Sequence, residues 1–362
     1  MIPAKLPPMH LQDTLGSLFM VGIPRPVLDN ETRQQLQELR PGGVILFRRN
    51  YTTPEALATL CAEIHSLFSD SRPLIAIDHE GGRVHRLNPP FTHFPAMYKV
   101  GLTSSVNLAY QVGFAMGQEL RSVGIDLDFA PVLDVLTNPA NTVIGDRAFS
   151  SDPYQVALLG RAQARGLRDA DVIPCGKHFP GHGGTLLDSH DDQPKDERSL
   201  EELTRIDLYP FQQVITEGIE VIMSAHVLYP ALDPEFPATA SRKILTSLLR
   251  QQMGFNGVII TDDLEMGAVV RHSTIDQAVI NALNAGADML LVCHKIDLAI
   301  AARDACIRAV QSGTVLQHRI EEASQRIAAL KSTHQQRRIP VTEQVGAQAH
   351  AQLVEEILRF RA

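Results

Sequence analysis

The sequence predicts an α/β protein built as one closed (β/α)8 barrel of the TIM type, with extra helices after the last barrel unit. Eight short apolar runs alternate with longer amphipathic segments, and strands that alternate with helices form a parallel sheet. Polar residues follow the ends of most of these runs, where such barrels carry their functional side chains. The length of 362 residues suits this architecture. A doubly wound open sheet is the alternative, because it shows the same alternation.

The apolar runs predict the strands because each is short and is bounded by polar or turn-forming residues. In chain order they cover 18–23, 43–47, 74–78, 125–130, 172–177, 221–225, 257–261 and 289–293. The helices predicted between them cover 54–68, 105–123, 152–169, 199–216, 245–253 and 274–285. The helices predicted after the eighth run cover 296–311, 316–332 and 342–360. We therefore predict a single domain over 1–362, with the barrel at about 16–311 and the C-terminal helices, at about 316–362, packed around it.

The composition limits the possible partners. With 44% hydrophobic residues the chain can bury a large core, and its formal net charge of -8 disfavours nucleic acid or an anionic membrane as the main partner. We find no signal peptide and no apolar window long enough to span a bilayer. The four cysteines lack metal-binding spacing, which predicts buried free thiols in a reducing compartment. We expect a cytoplasmic monomer whose partner is a small molecule.

The densest group of ionisable side chains follows the fifth apolar run. Lys-His-Phe-Pro-Gly-His-Gly occupies 177–183, and Asp188 and His190 follow shortly after. In an extended segment, residues two apart face the same side, so the Asp188 carboxylate can orient the His190 imidazole and raise its basicity. The pair is then a proton-transfer unit. A solvated loop pair without function is the alternative, because Asp191 and Asp192 follow directly.

Two histidines of this loop raise the question of a metal site. His178 and His182 are four apart, as in helical zinc sites. Pro180 and the neighbouring glycines prevent a regular helix there, so the spacing loses its geometric meaning. We therefore expect neither a metal nor another cofactor.

Polar residues also mark the ends of other predicted strands, where the barrel would bring them together. The set comprises Asp78, Asp126, Asp128, Lys177, His178, His226, Asp262, Asp263 and His294. Any one of them could instead cap the following helix. Asp262 ends the buried pattern at 258–261, and a carboxylate fixed at a strand end suits a nucleophile. Asp263 is predicted to be the N-cap of a helix that begins at Leu264.

Two further polar loops complete the set of motifs. Residues 78–86 read Asp-His-Glu-Gly-Gly-Arg-Val-His-Arg, which is a tight turn after the third strand without the Lys-Ser/Thr ending of a phosphate loop. Asp78 and Arg86 could bind sugar hydroxyls or carboxylates, although a charged surface turn is the alternative. Residues 145–149, Gly-Asp-Arg-Ala-Phe, form the other loop.

Together these motifs resemble the bacterial β-N-acetylglucosaminidases of glycoside hydrolase family 3 that act in peptidoglycan recycling. The matching segments are 78–86, 145–149, 177–183, 188–190 and 261–266. They occur in the family's order between about Gly16 and Leu291, so the resemblance covers most of the chain. His79 is a mild departure, because glutamine is more usual there.

The resemblance implies a role for each motif residue. Asp262 is implied as the nucleophile that forms a covalent glycosyl-enzyme in a retaining mechanism. His190, supported by Asp188, is implied as the general acid/base. The implied ligands of the N-acetylglucosamine ring are Asp78, Arg86, Arg147, Lys177 and His178. The implied substrates are N-acetylglucosaminides, among them muropeptides with a terminal β-linked N-acetylglucosamine on 1,6-anhydro-N-acetylmuramic acid. The resemblance implies no metal.

Other functions stay open at this point. A β-glucosidase-like or phosphorolytic member of the family is one, since a histidine acid/base tolerates an anionic acceptor. A metal-dependent barrel hydrolase and a non-catalytic sugar-binding protein are others. Residues 124–130 resemble the Asp-x-Asp-x-Glu strand of substrate-assisted chitinases, but Ala130 stands at the position of the catalytic glutamate.

Overall fold

A computed structural model describes residues 8–69, 71–185, 194–334 and 342–360. Within these ranges eight parallel strands follow one another around a single sheet in the order β7-β6-β5-β4-β3-β2-β1-β8. They are β1 Phe19–Gly22, β2 Gly43–Leu46, β3 Leu74–Ile77, β4 Leu127–Asp128, β5 Ile173–Phe179, β6 Val221–Ser224, β7 Val258–Thr261 and β8 Leu290–Val292. A parallel bridge between Ile260 and Met289 joins β7 to β8. The predicted (β/α)8 barrel is confirmed, and the open-sheet alternative is wrong.

Helices surround the barrel. The α-helices are α1 Pro8–Gly16, α2 Asn30–Leu39, α3 Pro54–Ser66, α4 Met97–Leu102, α5 Val106–Ser122, α6 Pro153–Asp169, α7 Leu200–Arg205, α8 Leu208–Thr216, α9 Gly267–Val270, α10 Ile275–Ala285, α11 Ile296–Ser312, α12 Gln317–Thr333 and α13 Gln348–Arg359. The segment Lys243–Gln252 is a π-helix. Short 3₁₀ turns occur at Arg48–Asn50, Gly145–Arg147, Ala238–Ala240 and Thr342–Gln344.

Several boundaries differ from the prediction for local reasons. The helix predicted at 199–216 is two helices, and Pro210 lies in the first turn of the second one, where its missing N–H costs no helical hydrogen bond. The helix predicted at 342–360 begins only at Gln348, after Gly346 with a φ of +67°. The predicted fourth strand is reduced to two residues before Pro131, which cannot donate to the sheet.

The strands are buried throughout, as expected for a parallel sheet covered by helices. Helices α5 and α6 pack closely over this sheet because glycines face each other at their crossing. A Cβ on Gly113 would lie 2.2 Å from the Gln163 carbonyl oxygen, and one on Gly166 would lie 2.2 Å from the Tyr110 carbonyl oxygen. The helices could not approach to this distance with larger residues.

Helix α13 is attached to the barrel wall through a buried carboxylate. Glu119 of α5 lies 2.7 Å from the His350 ring nitrogen Nδ1 and accepts from the Gly346 backbone N–H at 3.1 Å. It also accepts from the hydroxyl of Thr92 at 2.6 Å. The C-terminal helix therefore packs on the barrel, as the sequence predicts. No helix of the described ranges is both long and apolar enough to cross a bilayer.

Candidate active site

A polar cavity of about 130 Å³ opens at the carboxyl ends of the strands. Its lining comprises Asp78, Glu80, Val84, Arg86, Val143, Ile144, Arg147, Lys177, His178, His182, Met223, Asp262 and Met266. A larger cleft of about 520 Å³ lies on the outer surface of α5 and α6. The smaller cavity is the candidate site, because the strand ends bring ionisable side chains from β3, β5 and β7 together there.

Lys177 is the buried cation of this cavity. Its side chain emerges from β5 and is 1% exposed. Its ammonium nitrogen Nζ lies 2.6 Å from Asp78 Oδ1 and 2.6 Å from Glu80 Oε1. Burial alone would lower the pKa of Lys177, but the two carboxylates raise that pKa above its ordinary value. The amine therefore stays protonated and can donate to a ligand.

Glu80 and Arg147 form a buried bidentate pair. The Arg147 nitrogens Nε and Nη2 donate to the two Glu80 oxygens at 2.8 Å each. Burial would raise the pKa of Glu80, but the charges of Arg147 and Lys177 hold it well below its usual value. Arg83 positions the loop that carries Arg147, donating to the carbonyls of Thr142 and Val143 at 2.7 Å.

The imidazole of His178 is oriented by Asp134. Its Nδ1 lies 2.7 Å from Asp134 Oδ2, and Asp134 Oδ1 accepts from the backbone N–H of His178 at 3.2 Å and of His182 at 2.7 Å. Burial would raise the pKa of Asp134, but the two histidines and these hydrogen bonds lower it. An ionised Asp134 places the imidazole proton on Nδ1, so Nε2, 3.4 Å from Arg147 Nη2, faces the cavity.

Asp262 forms part of the cavity wall directly after β7. Its Oδ1 accepts from the backbone N–H of Asp263 at 2.8 Å. Burial would raise the pKa of Asp262, but electrostatic interaction with the rings of His178 and His226, with this hydrogen bond, holds that pKa below the usual value. An ionised, fixed carboxylate at the cavity wall has the properties of a nucleophile.

Asp263 does not cap a helix, so that prediction is wrong. Its Oδ1 accepts from the backbone N–H groups of Glu265 at 3.1 Å and Cys293 at 3.2 Å. The next helix begins only at Gly267. Burial, assisted by the charges of Glu265 and Asp262, raises the pKa of Asp263 to about 7. The two adjacent carboxyl groups therefore differ in protonation near neutral pH.

The other predicted strand-end residues do not line the cavity. Asp126 precedes β4, where it accepts from the Ile75 backbone N–H at 2.7 Å. Asp128 is buried and accepts from the His79 backbone N–H at 2.9 Å, and burial raises its pKa well above the usual value. His294 is exposed, and its Nε2 lies 3.5 Å from Asp263 Oδ2.

His226 lies buried behind Asp262, and each of its ring nitrogens contacts a polar group. Nε2 lies 3.0 Å from the Asp263 carbonyl oxygen, and Nδ1 lies 2.9 Å from the Thr239 hydroxyl. Burial lowers the pKa of this imidazole. These contacts make His226 part of the scaffold beneath the nucleophile candidate.

Asp188 and His190 lie outside the described residues. The chain on either side of this segment is fixed. On one side the Thr185 hydroxyl lies 2.7 Å from His182 Nδ1. On the other, Lys195 bridges to Leu228 beside β6. Both flanks therefore lie beside the strands that carry the cavity.

Sequence reasoning gave no role to Glu80 or Asp134, and it considered His182 only as a metal ligand. Glu80 stands inside the motif at 78–86 and is the partner of two cations. Asp134 interrupts an apolar run after β4, and a carboxylate in such a run needs a buried partner. That isolated charge is the signal that could have found it. Among the described residues no group of three or more His, Cys, Asp or Glu side chains could hold a metal ion.

Glu80→Gln is expected to lower the free energy of unfolding at neutral pH by about 3–5 kcal/mol, because Lys177 and Arg147 would lose their shared buried partner. The folded-state pKa of Glu80 lies below its ordinary value of 4.5. The wild type therefore holds this stabilisation above that pH and loses it progressively as the pH falls below it. Urea unfolding across this pH range should show that the difference in free energy of unfolding between wild type and variant becomes smaller as the pH falls.

Glu63→Gln is the matched control, because it removes an exposed ion pair with Arg33, at 2.8 Å. It should cost at most about 1 kcal/mol. A Glu80→Gln deficit that stays constant across the acid range would contradict the depressed pKa.

Comparison with known proteins places the chain in a family. Residues 10–330 match the model described as "Glycosyl hydrolase family 3 N terminal domain". A protein named Beta-hexosaminidase from Thiobacillus denitrificans is 45% identical over 292 residues, which are 79% of this chain and 80% of that protein.

Two solved structures show the same architecture. A glycoside hydrolase family 3 beta-N-acetylglucosaminidase from Paenibacillus sp. str. FPU-7 superposes with a TM-score of 0.93 at 37% identity, covering 96% of this chain and 68% of that one. NagZ from Neisseria gonorrhoeae, in complex with N-trifluoroacetyl-D-glucosamine, superposes with a TM-score of 0.75 at 34% identity, covering 96% and 98%. With the family match spanning nearly the whole barrel, the chain belongs to glycosyl hydrolase family 3 and is a glycosidase.

Proposed function

We propose that this glycosidase is a β-N-acetylhexosaminidase that releases terminal, non-reducing β-linked N-acetylglucosamine from peptidoglycan fragments. These fragments carry the sugar on 1,6-anhydro-N-acetylmuramic acid, with or without a peptide. The observation that carries the proposal is the position of Asp262, an ionised carboxylate in the wall of a small cavity dense in hydrogen-bonding groups. The names of the relatives support the choice of sugar.

The cavity suits one sugar ring at the end of a chain. Charged groups line it from several sides, and the barrel closes it below. Lys177, Arg147 and Arg86 supply donors for ring hydroxyls or an amide carbonyl, and Asp78 supplies acceptors. Nε2 of His178 is a further acceptor when the proton is on Nδ1. We assign ring binding to these five residues.

The proposed reaction retains configuration in two displacements. Asp262 attacks the anomeric carbon while the glycosidic C–O bond breaks, and the leaving oxygen takes a proton from His190. A covalent glycosyl-enzyme results. In the second step His190 takes a proton from water, whose oxygen attacks the same carbon and frees the Asp262 carboxylate. Asp188 orients the His190 imidazole and stabilises its charged form.

The contacts of the described residues support a proton donor from the segment at 188–190. Asp78 and Glu80 are ion-paired with the Lys177 ammonium, and the charges of Lys177 and Arg147 lower the pKa of Glu80. The ring of His178 is bonded to Asp134, and that of His226 to Thr239 and the backbone. None of these four groups is poised to give a proton to a leaving oxygen.

The cellular setting is proposed from the same chemistry. The four cysteines are free and buried. Free thiols are usual in a reducing compartment, so we propose that the enzyme acts in the cytoplasm on recovered wall fragments.

The substrate assignment predicts a strong preference among synthetic glycosides. The kcat/KM for nitrophenyl β-N-acetylglucosaminide should exceed that for nitrophenyl β-glucoside by at least about tenfold, since unpaired donors in the site would penalise the sugar that lacks the acetamido group. The two values come from initial rates at matched enzyme concentration. Product analysis on an N-acetylglucosaminyl-1,6-anhydro-muramyl substrate, with and without phosphate, should give free N-acetylglucosamine in both cases. Equal kcat/KM values for the two glycosides would count against the assignment.

Asp262→Asn is expected to lower kcat by about 10³-fold or more, because the amide cannot form the glycosyl ester. The matched control is Asp263→Asn, which preserves the acceptor for Glu265 and Cys293 at a carboxyl group whose pKa is already about 7. The control should keep most of the activity. Mass spectrometry of a trapped glycosyl-enzyme should place the adduct on Asp262. A variant that retains more than about a tenth of the wild-type kcat would remove Asp262 from this role.

His190→Ala should slow substrates with poor leaving groups far more than nitrophenyl substrates, because a nitrophenolate needs little protonation. Asp188→Asn should show the same pattern more weakly, since it disturbs only the orientation and basicity of the imidazole. His294→Ala, which removes an exposed imidazole, is the control and should leave both rates near the wild-type values. Equal slowing of both substrate classes by the His190 and Asp188 variants would show that the pair is structural.

A further inference from the structure

A second polar cavity, of about 250 Å³, lies at the opposite end of the barrel from the active site. It lies between the π-helix Lys243–Gln252 and α12, beside the residues that lead into β7 and β8. Its ionisable lining comprises Arg242, Arg250, Arg319, Arg326, His318 and Glu322. We call it the basal cavity.

Three of these arginines converge on one buried carboxylate. Asp288 is fully buried just before β8. Arg319 Nη2 lies 2.5 Å from its Oδ1, Arg326 Nη1 lies 3.1 Å from the same oxygen, and Arg250 donates to Oδ2. Oδ2 also accepts from the Ile259 backbone N–H at 2.9 Å. One carboxylate therefore holds three guanidinium groups side by side without neutralising them.

The positive charge of the basal cavity exceeds the negative charge that faces it. Four arginines line it, against Asp288 beneath and Glu322 at the edge. This excess contrasts with a chain whose formal net charge is -8. Clustered guanidinium groups repel one another, so an additional anion would be favourable here.

Arg250 is only partly paired in this cluster, and its Nη1 donates to the backbone carbonyls of Phe255 at 3.2 Å and Gly257 at 2.9 Å. Its Nε is buried and has no hydrogen-bond partner among the described residues. Burial lowers the pKa of this guanidinium to about 10, Asp288 opposes the shift, and Arg326 and Arg319 add to it. A buried charged donor without a partner is unfavourable unless a ligand or water completes it.

We propose that the basal cavity is a binding site for a phosphate-bearing anion, either inorganic phosphate or a phosphate monoester of a small organic molecule. The planar fork of arginine matches phosphate oxygens in pairs. Arg326 directs only Nη1 to a carboxylate of the described residues. Arg242 is exposed and forms no ion pair with a described residue. These two side chains can turn towards the anion. Nothing in the proposed glycosidase reaction uses this site.

The test measures phosphate binding by isothermal titration calorimetry on the full chain in chloride buffer at constant ionic strength. The variants are Arg326→Gln and Arg242→Gln. Each should weaken binding of inorganic phosphate by about tenfold or more, because each removes a charge-assisted contact. Two variants are used because Arg326→Gln also removes a contact with Asp288. Arg242→Gln breaks no ion pair among the described residues, and circular dichroism checks that both variants fold.

Two further variants locate the binding. Arg359→Gln changes a highly exposed arginine of α13 and should leave phosphate affinity unchanged. Arg86→Gln changes the arginine at the active-site cavity and should also leave it unchanged. Loss of binding in Arg86→Gln with retention in the basal variants would place phosphate at the active site and overturn the proposal. Absence of measurable binding to the wild type at millimolar phosphate would overturn it as well.

The source of the anion is resolved by a second titrant. Inorganic phosphate and N-acetylglucosamine 6-phosphate are compared on wild type and on Arg242→Gln. Tighter binding of the monoester, lost in the variant, would show that the organic part fills the remaining volume. Equal affinity for both, again lost in the variant, would identify inorganic phosphate as the sufficient ligand. If Arg242→Gln changes the affinity for neither ligand, the basal cavity is not the binding site.

Discussion

The buried ammonium group of Lys177 sets the arrangement of the candidate active site. A cation removed from water requires opposite charge at contact distance, and Lys177 takes it from Asp78 and Glu80, both of which follow β3. Glu80, itself buried, needs the second cation Arg147, which comes from a loop beyond β4. Arg147 then lies beside His178, the residue that follows Lys177 on β5. The need to neutralise Lys177 thus fixes how β5, the segment after β3 and the loop beyond β4 meet.

Two neighbouring aspartates show how local surroundings divide chemical roles. Asp262 and Asp263 are consecutive, yet their pKa values differ. Asp262 faces two histidines and stays ionised, whereas burial and nearby carboxylates raise the pKa of Asp263 to about 7. A nucleophile must be charged and accessible, and only Asp262 meets both conditions. Asp263 contributes instead by holding the backbone of Cys293 after β8. Adjacent carboxyl groups with divergent pKa values are a known way to separate functions.

Much of the fold could be predicted from sequence because buried parallel strands are short apolar runs and their helices are amphipathic. The break before α8 was missed because a helical period does not report where one helix ends and the next begins. The errors at Asp126 and Asp263 have another origin. Asp126 precedes β4 and therefore lies at the end of the strand away from the cavity, where it accepts from the Ile75 backbone N–H. Asp263 does follow a strand end, but the backbone N–H groups of Glu265 and Cys293 decide which way its carboxylate turns. The role of Asp134 could not be predicted because its partners His178 and His182 are 44 and 48 residues away in sequence.

The polar contacts of the candidate active site form one continuous chain rather than separate pairs. In order, the chain links Arg86, Asp78, Lys177, Glu80, Arg147, His178, Asp134 and His182. Members of such a chain polarise one another, so the losses from single replacements do not add. The eight residues therefore contribute to stability as one coupled network. A substitution at either end of this network changes the electrostatic surroundings of every other member. Replacements tolerated here in divergent relatives should accordingly occur in compensating sets.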